Sequence, residues 1–179
     1  AIAEQASSQP LTELERGALQ LALVCRYALE TATATQILVV EGEQVVAQVA
    51  LPVALAGSLV AMKVHAAGQP TRRPDKAAGD IYDAYRLVRA WGPSVIADDL
   101  SHAPIVMLRE VVQQITDLFV DGAERSARQL RAASMPGVQA IDAEDLEGIA
   151  EVIAAIEPFL EWDAPLDPLD PLDAQEERR

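Results

Sequence analysis

Between Ala61 and Leu87 the chain reads AMKVHAAGQPTRRPDKAAGDIYDAYRL, a stretch that gathers Lys63, His65, Arg72, Arg73 and Lys76 close to two carboxylates, Asp80 and Asp83. Cations at this density offer an anion site, since each adds positive potential and several hydrogen-bond donors. Lys63 is the most informative of them. It falls in a segment, Val53 to Ala67, that is apolar almost all round, where an ammonium is costly unless its stem reaches water or an anion meets it. His65 faces away from Lys63 on an ideal helix and reads as a hydrogen-bonded structural histidine. Asp80 has a structural role open to it, as a cap on a helix expected to start at Gly79 or Asp80 and run to about Trp91. On that helix Asp80, Asp83 and Leu87 share one face, Tyr82, Arg86 and Arg89 share another, and Asp83 can pair with Arg86.

The flanking sequence supplies the elements that must hold these residues. Pro10 to Glu30 reads as a helix, with Thr12 and Glu15 spaced as a capping box and Leu14, Ala18, Leu21, Ala22, Cys25 and Ala28 at helical spacing. Cys25 reads as a small core residue. Gln36 to Val40 and Gln44 to Leu51 read as strands joined by Glu41-Gly42-Glu43, a hairpin that must join a larger sheet or pack on helices to be stable. Pro52 is expected to end it and open the Val53–Ala67 helix. Gly68 to Ala78, with Pro70 and Pro74, reads as a loop.

Further on, Pro93 to Leu100 is a short helix, and Ser101 or His102 is placed to cap the next. Ala103 to Val120 carries a stripe of Ile105, Leu108, Val112, Ile115 and Phe119. Ala123 to Ser134 follows with Arg125, Arg128 and Arg131 on what is expected to be a solvated face. After a break at Pro136-Gly137, Asp142 caps a last helix, Ala143 to Trp162, with Leu146, Ile149, Ile153, Ile156 and Leu160 as its apolar stripe. Three tandem Pro-Leu-Asp units from Pro165 to Asp173 lie in an acidic tail, compatible with neither a helix nor a central strand.

These elements give an α+β fold, predominantly helical, with a β-hairpin that is part of a small sheet followed by a helical bundle. The expected division is an N-terminal helix (1–30), the hairpin and two helices (31–92), a helical C-terminal region (93–162) and the tail (163–179). Half of the 179 residues are hydrophobic but only 4% aromatic, so the core must be built from small aliphatic side chains. A net charge of −14 argues against a general polyanion binder. Residues 51–100 escape that trend, with six Lys and Arg against five Asp and Glu. The lone cysteine, the lack of a signal-like N-terminus and the interruption of the longest apolar run point to a cytoplasmic chain that does not span a membrane.

Leu51-Pro52, the lysine helix Ala61-Met62-Lys63-Val64-His65-Ala66, the Arg-rich loop with Lys76, and Asp80-Ile81-Tyr82-Asp83-Ala84-Tyr85-Arg86-Leu87 together resemble the C-terminal part of the AbiEii/MenT nucleotidyltransferase-like toxins, over residues 29–92. The resemblance implies a toxin–antitoxin or abortive-infection role, using Mg²⁺ and a nucleoside triphosphate to modify tRNA or another RNA, with a cognate antitoxin as partner. Lys63 would neutralise the nucleotide phosphates, Arg72, Arg73 or Lys76 would reinforce it, and Asp80 or Asp83 would serve as the helix-borne acid. The family's first motif, a Gly-Ser turn followed by paired aspartates on a strand, has no counterpart: Gly57-Ser58 precedes Leu59-Val60, and Asp98-Asp99 lies in a short helix. The metal ligands therefore stay unassigned, and the chain is expected to transfer nucleotides poorly or not at all. The alternative is a non-catalytic helical protein-interaction module.

Overall fold

The computed structural model of the chain describes residues 12–69, 71–133 and 141–160, apart from the side chains of residues 13–16. A long helix, α1 (Glu13–Glu30), leads into an antiparallel hairpin of β1 (Thr33–Glu41) and β2 (Gln44–Val53). The helices α2 (Ala56–Gly68), α3 (Pro74–Trp91), α4 (Pro93–Leu100), α5 (Ile105–Ile115) and α6 (Ala123–Ala132) follow, and two short helices, α7 (Ala143–Glu147) and α8 (Glu151–Ile156), close the order. The fold is α+β and predominantly helical, as its sequence pattern predicts. No helix among the described residues is long and apolar enough to cross a membrane.

The centre of the body is α2. It packs against α1, α3, α4 and α5, and Val60, Ala61 and Val64 have no exposed surface. Small side chains permit this crowding. Gly57 lies so close to α4 that a Cβ there would sit 2.6 Å from both the Asp99 Cβ and the Ile96 carbonyl oxygen. One apolar cluster runs from Val24 to Leu160, aliphatic except for Tyr27 and Phe119. The α5 stripe holds, with Leu108, Val112, Ile115 and Phe119 buried and Ile105 half-buried. It survives its last turn because Thr116–Val120 widens into a π-helical turn, in which the Asp121 N–H reaches the Thr116 carbonyl.

Several boundaries differ from the expected ones. Strand β2 runs through Pro52 to Val53, so Pro52 does not end the hairpin; it faces Ala34 on a two-stranded ribbon with an open edge, where a residue without an N–H is tolerated. The hairpin joins no larger sheet among the described residues, and both strands are exposed almost throughout. Helix α3 begins at Pro74 rather than at Gly79 or Asp80, because proline at its first position is pre-organised for a helix and Asp75 supplies the first-turn carboxylate. Neither Ser101 nor His102 caps α5, whose cap position is Pro104; the Ser101 hydroxyl turns back to the Asp98 carbonyl. Asp142 does cap α7, in a reciprocal pair with Asp145, but the helix expected beyond it is broken into segments by tighter turns at Gly148–Ala150 and Glu157–Phe159. The Glu15 side chain, the Pro136-Gly137 break, Trp162 and the Pro-Leu-Asp tail lie outside the described residues.

Candidate functional site

Helices α2 and α3 pack against each other and hold the charged residues between them. From the middle of α2, the Lys63 ammonium lies 3.1 Å from Asp80 Oδ1 and 2.7 Å from Asp83 Oδ2. The i,i+3 spacing on α3 is what presents both carboxylates to one lysine. Arg72, in the connection between the helices, closes the cluster by donating from Nε and a terminal nitrogen to Asp80 Oδ2. The two cations and two carboxylates thus neutralise one another. Burial lowers the pKa of Lys63, but the hydrogen bonds and negative charge of Asp83 and Asp80 outweigh it, so the ammonium is held above its ordinary value.

Asp80 is therefore not a helix cap. It sits in the second turn of α3, 5% exposed, and its charge is tolerated because both oxygens are bonded to cations. Asp83 pairs with Lys63 rather than with Arg86, and its side chain remains 46% exposed. Arg73 and Lys76 do not join the cluster: Arg73 is bidentate to Asp75 across exposed surface, and Lys76 lies exposed in the first turn of α3. Desolvation pushes the Asp75 carboxyl up, but the hydrogen bonds and charge of Arg73, joined by backbone hydrogen bonds, together outweigh it and hold the group below its ordinary pKa. Of the six residues to which the resemblance gives a role, Lys63, Arg72, Asp80 and Asp83 come together.

Two arginines stand beside this cluster and complete a site that the sequence reading divided between two helix faces. Lys63, Asp83, Tyr85, Arg86, Leu87 and Arg89 are among the residues lining an open groove of about 660 Å³. Arg86 stacks over the Tyr82 ring at 5.7 Å, and neither Arg86 nor Arg89 makes an ion pair among the described residues. Beside the paired Lys63 and Asp83, the groove therefore presents two arginines without an ion pair among the described residues, in a chain of charge −14. The signal available in the sequence was the Arg86–Arg89 spacing on a helix that also presents Asp83.

His65 is 1% exposed, with Nε2 at 3.2 Å from the Gly17 carbonyl oxygen and 2.9 Å from the Gln69 side-chain amide, which makes it the structural residue its position suggests. Gly57 and Asp99 also meet, as a capping contact: the Gly57 N–H donates to Asp99 Oδ2 at 2.9 Å, giving the N-terminus of α2 the acceptor that Leu55 lacks. Burial first, and the Asp99 charge second, raise the pKa of Tyr27, whose hydroxyl donates to the Asp99 carbonyl.

The donor set does not suit Mg²⁺. Among the described residues no three His, Cys, Asp or Glu side chains converge, and the Asp80 oxygens and one Asp83 oxygen are engaged by cations. A hard divalent ion needs carboxylate oxygens free of such competition. Comparison of the chain with family models, curated proteins and solved structures finds no match, so the resemblance to AbiEii/MenT toxins rests on its motif residues.

Proposed function

We propose that the α2–α3 groove binds the phosphates of a nucleotide and is one half of a nucleotidyltransferase-like site of the toxin–antitoxin type, with the metal-holding half supplied by no described residue of this chain. The observation that carries this reading is the Lys63 ammonium, fixed between Asp80 and Asp83 at a groove that also presents Arg86 and Arg89. The carboxylates orient the lysine and keep it protonated, and the arginines add forked donors suited to phosphate oxygens. Asp83, half-exposed beside Lys63, is placed to accept a proton from an acceptor hydroxyl. No metal step is assigned to these residues.

The test is nucleoside triphosphate binding, read as a thermal shift, combined with label transfer to total tRNA in the presence of Mg²⁺. Binding that weakens in Lys63→Ala and in Arg86→Ala/Arg89→Ala, and that falls as salt rises, supports the groove. Transfer lost in Lys63→Ala and Asp83→Ala would extend the reading to a complete enzyme, whereas binding without transfer is the expected result. Absence of nucleotide binding overturns it. The second reading, a non-catalytic interaction module, is favoured by the mutual neutralisation of Lys63, Arg72, Asp80 and Asp83, which suffices to fasten α2 to α3. On that reading Lys63→Ala lowers stability and changes no binding.

A further inference from the structure

Arg73 and Lys76, which stand outside the α2–α3 cluster, meet at a different place. Together with Arg72 they line a second pocket, of about 410 Å³, between α1, the end of α2 and the start of α3. That volume lies in the range of small-molecule sites. No residue lines both this pocket and the Lys63 groove, and among the described residues no carboxylate lines it.

The cations here keep donors to spare. Arg72 commits Nε and one terminal nitrogen to Asp80, and Arg73 commits the same two groups to Asp75. Each guanidinium is thus held in place by a carboxylate on one edge, and the donors of its other terminal nitrogen stay uncommitted. Lys76 makes no ion pair among the described residues and adds a third positive charge, and Thr71 adds a hydroxyl. Ala18, Leu21 and Ala66 supply apolar lining, with Leu21 left 43% exposed. His65 belongs to the same wall. It is buried, and its Nδ1 has no hydrogen-bond partner among the described residues. Native interiors leave few such atoms, so the polar groups of this wall are not all spent.

We propose that this pocket binds a small phosphomonoester, with Arg72, Arg73, Lys76 and Thr71 around the phosphate oxygens and the body of the ester against Ala18, Leu21 and Ala66. A phosphate group suits the donors better than a carboxylate does. It approaches two negative charges at neutral pH and offers three acceptor oxygens to the forked donors of the arginines. The apolar lining is what a bare ion would leave unused.

The test is titration of the full chain with phenyl phosphate, inorganic phosphate and benzoate at constant ionic strength, followed by calorimetry and by backbone amide NMR shifts. The wild type is compared with Arg73→Gln/Lys76→Gln and with Arg86→Ala/Arg89→Ala. Arg73 and Lys76 are exposed, so circular dichroism should show an unchanged helical signal in their variant. Saturable binding of phenyl phosphate is expected, with shifts centred on the Thr71 and Lys76 amides, tighter than that of inorganic phosphate or benzoate. It should weaken by about tenfold or more in Arg73→Gln/Lys76→Gln, as the loss of charge-assisted hydrogen bonds implies, and stay unchanged in Arg86→Ala/Arg89→Ala. Absence of saturable binding, or binding unchanged in Arg73→Gln/Lys76→Gln, would overturn the proposal. Inorganic phosphate binding more tightly would overturn the ester, and benzoate binding equally well would overturn the phosphate. Binding lost only in Arg86→Ala/Arg89→Ala would place the ligand in the Lys63 groove and overturn this pocket while leaving that groove standing; conversely, failure of nucleotide binding at the groove leaves the Thr71 and Lys76 shifts as they are.

Discussion

At the residue scale, Lys63 shows how a charge on an apolar helix is made tolerable. Its stem passes through apolar α2, and its head meets two carboxylates, one buried and one half-exposed. The arrangement makes a claim about alkaline stability. Because the folded pKa of Lys63 is raised above 10.5, its contribution is fully present below the ordinary lysine value and is lost as pH climbs through the folded value. Tyr27, raised above 10.0 mainly by burial, acts in the same direction. Denaturant unfolding from about pH 8 to about pH 11 should therefore show falling stability, with a shallower fall in Lys63→Met and in Tyr27→Phe. A slope unchanged in both variants would mean that neither group is linked to folding.

At the element scale, α2 is positioned by contacts its neighbours supply. Gly57 lets α4 approach until Asp99 can accept from its backbone N–H, and an added Cβ would strike the Ile96 carbonyl, which cannot rotate aside. Gly57→Ala should therefore destabilise the fold by about 1–3 kcal/mol, the range for overpacking a tight contact, measurable as a lower urea midpoint. A neutral Gly57→Ala would show that the α2–α4 crossing relaxes. The hairpin tip illustrates the opposite case: Gly42, at φ +63°, opens a two-residue loop where the backbone itself favours glycine. Gln129 ties α6 to the start of α3 through the Pro74 carbonyl, while the Arg125, Arg128 and Arg131 row faces solvent as its spacing suggests.

At the scale of the whole molecule, the helices share one core and the hairpin stands apart from it. The base of the hairpin is closed, since the hydroxyls of Thr31 and Ser58 lie 3.2 Å apart. Replacing residues 33–53 with a short Gly-Ser linker should then leave a cooperatively unfolding helical body, with a stability change of about 1 kcal/mol or less from the altered loop. Thermal unfolding followed by circular dichroism would show it, and loss of cooperativity would mean that the hairpin supports the core. The groove on α2 and α3 belongs to the retained part, so the variant keeps the surface proposed to bind nucleotide phosphates.

The sequence by itself determined the helical class, most helix positions, the strand pair and its turn, the Asp142 cap, and the concentration of charge around Lys63. These follow from local causes: apolar periodicity, proline and glycine placement, and the chemistry of side chains near in the chain. Only the tertiary structure decided which charges meet. Starting α3 at Pro74 moved Asp80 from a helix end to a buried second turn, where it and Asp83 reach Lys63, while Arg73 and Lys76 were left outside. Likewise the groove brought Arg86 and Arg89 beside Lys63, because helix crossing, not spacing along one helix, sets which side chains share a surface. The hairpin runs the other way: its sequence asks for burial on both faces, and its strands are left exposed among the described residues.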